Sequence, residues 1–217
     1  MEAKNFKTEM ISDPKSKYDF FVKVVVVGDV QVGKTSILKK ALKNEFTEEY
    51  KSTKGYEFNI ALIKVNDTII KFQIWEISGE ENSGPSLLNF RNANLGYLVY
   101  SVTSRESFNN LKYWIEKLRK KAPTIRIILI GNKCDDKDNR KVSYEEGKEI
   151  SEKFNLENFE EVSAVQEFPS PNFLEKGAIN LLKDDESGSN DASCFVSKTI
   201  MIDPDELNIN RKQKCCL

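Results

Sequence analysis

The chain has 217 residues, 39% apolar and 31% charged, with 33 basic side chains against 34 acidic ones and no histidine. That length fits one domain with tails and is enough to bury a core without staples. The near-balanced charge argues against a nucleic-acid-binding face, so no nucleic-acid partner is expected. The missing imidazole excludes a Ser-His-Asp or Cys-His mechanism and a His-ligated zinc site.

Residues 1–19 read as a polar, mixed-charge extension with no period and no apolar core of a secretory signal. Phe20-Phe21-Val22-Lys23-Val24-Val25-Val26-Val27 then reads as a buried β-branched strand ending at Gly28. Ile37, Leu38, Ala41 and Leu42 have helical spacing, and residues 44–54 form a polar loop. Tyr56, Phe58, Ile60 and Leu62 alternate, as do Ile70, Phe72 and Ile74. With Asn66-Asp67 between the runs, they predict an antiparallel hairpin. A Gly/Ser/Asn-rich loop (78–86) leads to an apolar strand at 97–102. Ser104 is placed to cap one helix with Phe108, Leu111, Ile115 and Leu118 on a single face. A strand at 125–130, a helix at 145–154, a short strand at 159–162 and a last helix at 172–183 complete the series. Strands alternating with helices predict an α/β three-layer sandwich, a six-stranded mixed sheet with helices on both faces. Ligands of such folds sit beyond the C-terminal ends of the strands.

No run approaches the roughly 20 apolar residues that span a bilayer. The four cysteines, Cys134, Cys194, Cys215 and Cys216, show neither metal spacing nor a disulfide framework, which fits a reducing compartment. From residue 184 the composition becomes acidic and Gly/Ser-containing, with nothing to bury. The expected organisation is an extension at 1–19, a domain at 20–183 and a flexible tail at 184–217. The tail ends basic and thiol-rich, in Arg211-Lys212-Gln213-Lys214-Cys215-Cys216-Leu217.

Gly28-Asp29-Val30-Gln31-Val32-Gly33-Lys34-Thr35 fits G-x-x-x-x-G-K-[ST] and stands between a predicted strand and a predicted helix, with Ser36 next in line. The glycines let backbone N–H groups wrap phosphate oxygens at a helix N-terminus. Lys34 then reaches the β- and γ-phosphates, and the Thr35 hydroxyl binds magnesium. Asn132-Lys133-Cys134-Asp135 follows another strand. An aspartate there accepts two hydrogen bonds from guanine N1–H and its exocyclic amine, a donor pair that adenine lacks. Cys134 reads as a small packed residue.

Further segments carry a resemblance to the small GTPases of the Ras superfamily, and within it to the Rab family, over about residues 18–183. Tyr50-Lys51-Ser52-Thr53-Lys54-Gly55-Tyr56-Glu57-Phe58 resembles YxSTIGVDF of Rab switch I. Lys71-Phe72-Gln73-Ile74-Trp75-Glu76-Ile77-Ser78-Gly79-Glu80-Glu81 resembles KLQIWDTAGQE. Ser107-Phe108-Asn109-Asn110 and Gly131-Asn132-Lys133-Cys134-Asp135 are similar to Rab text throughout, and Glu161-Val162-Ser163-Ala164 resembles ETSA. The resemblance implies that Phe46 stacks on the guanine edge and that Ser163, Ala164 and Val165 support the base. It also implies that Thr53 binds magnesium and the γ-phosphate, that Gly79 donates its N–H to that phosphate, and that Thr35, Thr53 and Glu76 hold the metal. The implied ligands are GTP or GDP with Mg2+, and the implied catalytic residues are Lys34, Thr53 and Glu80.

Four substitutions fall on that machinery. Glu76 stands for the family's aspartate, one methylene longer, where the metal is held through water; Glu80 stands for the glutamine that orients the attacking water. A carboxylate at 80 cannot donate an amide N–H and brings charge towards the γ-phosphate, roughly 4 kcal/mol at 4 Å and an effective dielectric of 20. It can also accept a hydrogen bond from the water, so the two effects oppose one another. Val30 and Gln31 replace small residues and crowd the site of an arginine finger. Switch II is one residue short before Asn89-Phe90-Arg91-Asn92-Ala93, where Rab proteins show YYRGA.

A CaaX signal needs cysteine where Lys214 stands, whereas the Cys215-Cys216 pair resembles the Rab double-prenylation signal. Two lipid chains make anchoring stable. The 34-residue tail, as a flexible chain, would hold the domain roughly 30 Å from its anchor. The resemblance thus implies a slow GTPase switch of vesicle trafficking on the cytoplasmic face of an intracellular membrane, cycling with the cytosol. Its implied partners are effectors, an exchange factor and an activating protein at the switches, the prenylation machinery, and a membrane-extracting chaperone. The alternative expectation is an interaction protein that hydrolyses GTP negligibly and stays loaded.

Overall fold

The structure is a computed structural model that describes residues 6–13, 15–47, 49, 52–79, 90–168 and 171–187, with side chains as far as Lys183. β2 (Phe20–Val27) is its central strand, buried along nearly all its length. Its valines suit a pleated surface covered on both sides. It runs parallel to β4 (Thr68–Ile77) on one side and β5 (Leu95–Ser101) on the other. Beyond β5 lie β6 (Arg126–Asn132) and β7 (Asn158–Glu161), both parallel to their neighbours. Beyond β4 lies its antiparallel hairpin partner β3 (Tyr56–Val65), with Val65 opposite Thr68 across the Asn66-Asp67 turn.

Alternate residues of β2 face two separate cores. Val22, Val24 and Val26 pack with α1 (Lys34–Lys43) and α5 (Phe173–Ser187) on one face. Val25 and Val27 pack with α2 (Arg105–Asn109) and α3 (Leu111–Lys121) on the other, where α4 (Tyr144–Lys153) adds Ile150. The helices therefore cover both faces, as the alternation of strands and helices predicts.

Among the described residues the sheet has seven strands rather than six. β1 (Thr8–Ile11) falls in the stretch expected to be a polar extension and pairs antiparallel with β3, Thr8 opposite Val65 and Ile11 opposite Leu62. An edge strand needs a partner on one side only, and four residues are too few to show a period; Met10 packs against the core while Glu9 stays exposed. The single helix expected after Ser104 is two, broken at Asn110. Asparagine is a weak helix former whose amide competes with the backbone, and here it donates to Asp29 at 2.7 Å. The last helix is described through residue 187, past the expected limit of 183.

α4 starts in a full capping box. The Ser143 hydroxyl accepts from the Glu146 N–H, and the Glu146 carboxylate accepts from the Ser143 N–H at 2.9 Å. Arg105 also clasps Glu146 through two nitrogens, and that contact, ahead of the Ser143 backbone, holds the carboxyl down at about 2. Ser143→Ala is expected to cost about 1 kcal/mol, read as a lower urea midpoint at unchanged m-value.

Candidate functional site

The loops after β2, β4, β6 and β7 leave the sheet at the C-terminal ends of the parallel strands, and they enclose one cavity of about 570 Å³. One wall is the loop before α1. Gly33 turns there at φ 93°, and a Cβ on it would lie 2.2 Å from Asn132 Nδ2, so only glycine fits. It is the N-cap of α1 yet supplies no side-chain cap, and the first turn holds no acidic residue. The first N–H groups of α1 are thus left for an outside acceptor, the arrangement that binds phosphate.

Lys34 curls back over this loop and donates to the carbonyls of Gly28 at 2.9 Å and Asp29 at 2.7 Å. Burial lowers its pKa to about 8, against the pull of Glu76 and Asp29. The Asp29 carboxylate faces away from the cavity, where it accepts from Trp114 Nε1 and Asn110 Nδ2, each at 2.7 Å. Val32 is buried beneath the loop and lends its carbonyl to Asn132 Nδ2 at 2.9 Å. Val30, Gln31, Gly33, Thr35 and Ser36 line the cavity itself.

Three hydroxyl and carboxylate groups converge on its floor. Thr35 Oγ1 lies 3.1 Å from Thr53 Oγ1 and donates to Glu76 Oε1 at 2.5 Å. Glu76 is 1% exposed, and its Oε2 is enclosed without a partner among the described residues. Burial raises the Glu76 pKa, while the Thr35 hydroxyl and the Lys34 ammonium pull it down and Glu57 pushes it up. Among the described residues no group of three or more Cys, Asp or Glu forms a metal cluster, so a cation here would need these hydroxyls and a ligand's own oxygens. An orphaned buried carboxylate oxygen beside two hydroxyls is a hard-oxygen set that suits Mg2+.

The far wall carries Asn132, Lys133 and Asp135, with Ala164 and Val165 beside them and Phe46 at the rim. Lys133 adopts φ 65°, a turn that leads from the end of β6 into Asp135. No donor among the described residues meets the Asp135 carboxylate, and Asn132 Oδ1 is buried and unpartnered. Ser163 does not line the cavity; its buried hydroxyl accepts from the N–H groups of Val165 and Gln166 and so shapes the loop that does. Burial, then Glu161 and Asp135, push the Cys134 thiol up, in keeping with a packed residue.

Residues 23–176 match the model of the Ras family. The chain belongs to that family. It is a Ras-superfamily small GTPase most like Rab. It is 40% identical to Ras-related protein Rab-11B of Dictyostelium discoideum over 69% of this chain and 68% of that one. It is 32% identical to Ras-related protein RABA4a of Arabidopsis thaliana, over 94% of this chain and 96% of the relative. Against Ras-related protein Rab11C of Nicotiana tabacum the identity is 35%, over 94% and 96% of the two chains.

In this Rab-like site the departures from the family pattern have visible surroundings. Val30 is 47% exposed and faces the cavity, and Gly79 packs so close that a Cβ on it would come within 2.3 Å of the Val30 nitrogen. Gln31 sits at φ 62°, left-handed backbone that disfavours a side chain by roughly 1–2 kcal/mol. Gln31→Gly is therefore expected to raise stability by about 0.5–1 kcal/mol once glycine's extra unfolded freedom is subtracted, measured as a higher denaturant midpoint. Glu80, Cys215 and Cys216 lie outside the described residues.

Sequence reasoning missed Glu57 and Lys39, both of which line the cavity. Glu57 sits opposite Glu76 across the β3–β4 pair. The signal was present: a two-residue turn at Asn66-Asp67 fixes that register.

Proposed function

We propose that the chain binds GTP and GDP with Mg2+ and works as a slow, membrane-anchored switch in vesicle trafficking. The observation that carries this is that Lys34, Thr35, Thr53, Glu76 and Asp135, far apart in the chain, line one and the same cavity. Lys34 and the N–H groups at the start of α1 take the phosphates. Thr35, Thr53 and Glu76 hold the magnesium, whose charge neutralises the phosphate oxygens. Asp135 pairs with guanine, Phe46 covers its edge, and Ala164 and Val165 close the other side. In the triphosphate state Thr53 and the Gly79 N–H meet the γ-phosphate, which orders both switches for effectors; hydrolysis releases them. An exchange factor and an activating protein act on the same segments. Lipids on Cys215 and Cys216, added by prenylation machinery and masked by an extracting chaperone, would hold the protein on a membrane and let it cycle.

Val30 supports a second reading. It lines the cavity and its backbone nitrogen lies against Gly79, near where an attacking water or an arginine finger would act, and a protein crowded there stays loaded with GTP. The test is the nucleotide that copurifies with the full chain, identified by chromatography after denaturation. GDP is expected for a timed switch. GTP would favour the loaded interaction protein, and adenine nucleotide would overturn both.

A further inference from the structure

We propose that Glu76 is a direct ligand of the divalent cation, where the shorter aspartate of the family pattern reaches it through water. The inference rests on the nucleotide–magnesium reading above. Its first support is spacing. Oxygens bound to one Mg2+ at 2.0–2.1 Å occupy octahedral vertices about 2.9 Å apart. Thr53 Oγ1 lies 3.1 Å from Thr35 Oγ1, close to that value, and the 2.5 Å hydrogen bond that Thr35 donates to Glu76 Oε1 brings the carboxylate up to the same pair of oxygens. Its second support is burial. The side chain is 1% exposed and lines the cavity, and Oε2 has no partner among the described residues. An enclosed carboxylate oxygen without a donor is disfavoured unless it takes up a proton or a cation meets it, and in a cavity that binds a divalent cation the second is the stronger relief. The third is reach. One extra methylene advances the carboxylate by roughly 1.5 Å, about a C–C bond, into the space a bridging water would use. Glu57, opposite on β3, adds negative field on the same floor.

A direct carboxylate displaces one cation-bound water, and that can be counted. The full chain is loaded with GDP and Mn2+, and bound waters are counted from the broadening of the Mn2+ resonance in 17O-enriched water. The wild type is expected to hold one water fewer than Glu76→Asp; equal counts overturn the proposal. A second readout needs no variant at position 76. Protein grown on glutamate 13C-labelled at its side-chain carboxyl should show a resolved carbon hyperfine coupling to Mn2+, retained in Glu57→Gln. Its absence, or its loss in Glu57→Gln, overturns the assignment to Glu76. Failure to hold GDP and Mn2+ at all would overturn the nucleotide reading and this inference together, whereas tight binding with equal water counts overturns this inference alone.

Discussion

Asp135→Ala is expected to erase the preference for guanine over adenine, a change of roughly 10⁴-fold in the ratio of GDP to ADP affinity. The physical reason is the asymmetry of an unmet donor pair. Guanine N1–H and its exocyclic amine would lose their water on entering the cavity, and under the proposed reading the Asp135 carboxylate, which lines it, would replace that water. Each charge-assisted bond contributes roughly 1.5–3 kcal/mol, and the two act together. Adenine offers an acceptor where the first of these donors stands, so the carboxylate repels it. Alanine removes both the attraction and the repulsion. The fold should survive, because no donor among the described residues holds this carboxylate in place. Competition of GDP and ADP against a fluorescent guanine nucleotide measures the ratio directly. A guanine preference unchanged in the variant would move base recognition away from the turn after β6.

That Asp135 lies in the cavity wall was legible because its place is local: four residues of the expected types directly after an apolar strand. The loop from Gly28 to Thr35 was legible for the same reason. The hairpin was legible through alternation and its turn, and with it, in principle, the pairing of Glu57 with Glu76. Contacts between distant segments were not. Nothing in the spacing around Asp29 indicates that its carboxylate is held by Trp114 and Asn110, more than 80 residues on. That contact explains the break between α2 and α3, which the apolar pattern of Phe108, Leu111, Ile115 and Leu118 conceals because both pieces keep the same face to the sheet. β1 was hidden for a different reason. Its hydrogen bonds come from the free edge of β3, and its few apolar contacts, Phe6 and Met10, sit among charged residues that mask them. The interior of the fold is thus written in periodicity, while its edges and its long-range polar contacts depend on neighbours that no local window contains.

Lys34→Met should weaken GDP binding at pH 7 by about 10²–10⁴-fold, the worth of two charge-assisted bonds to phosphate. A pH series distinguishes this loss from simple misfolding. In the empty site burial lowers the Lys34 pKa to about 8, below the ordinary lysine value. A bound phosphate supplies the counter-charge that burial removed and raises it again. Wild-type affinity is therefore expected to be level below pH 8 and to fall as pH rises above it, because binding must then recover a proton. The methionine variant should show no such fall. Stability has the opposite slope. Between pH 8 and the unfolded lysine value, the empty folded protein holds fewer protons at Lys34 than the unfolded chain, so this group's contribution to stability rises with pH. Loaded protein, with Lys34 protonated throughout, lacks that rise. Denaturant midpoints of empty and GDP-loaded protein, followed from pH 7 to 10, should converge as pH increases. A constant gap between them would mean that Lys34 keeps its proton without the phosphate, and that its ammonium is neutralised by Glu76 rather than held ready for a ligand.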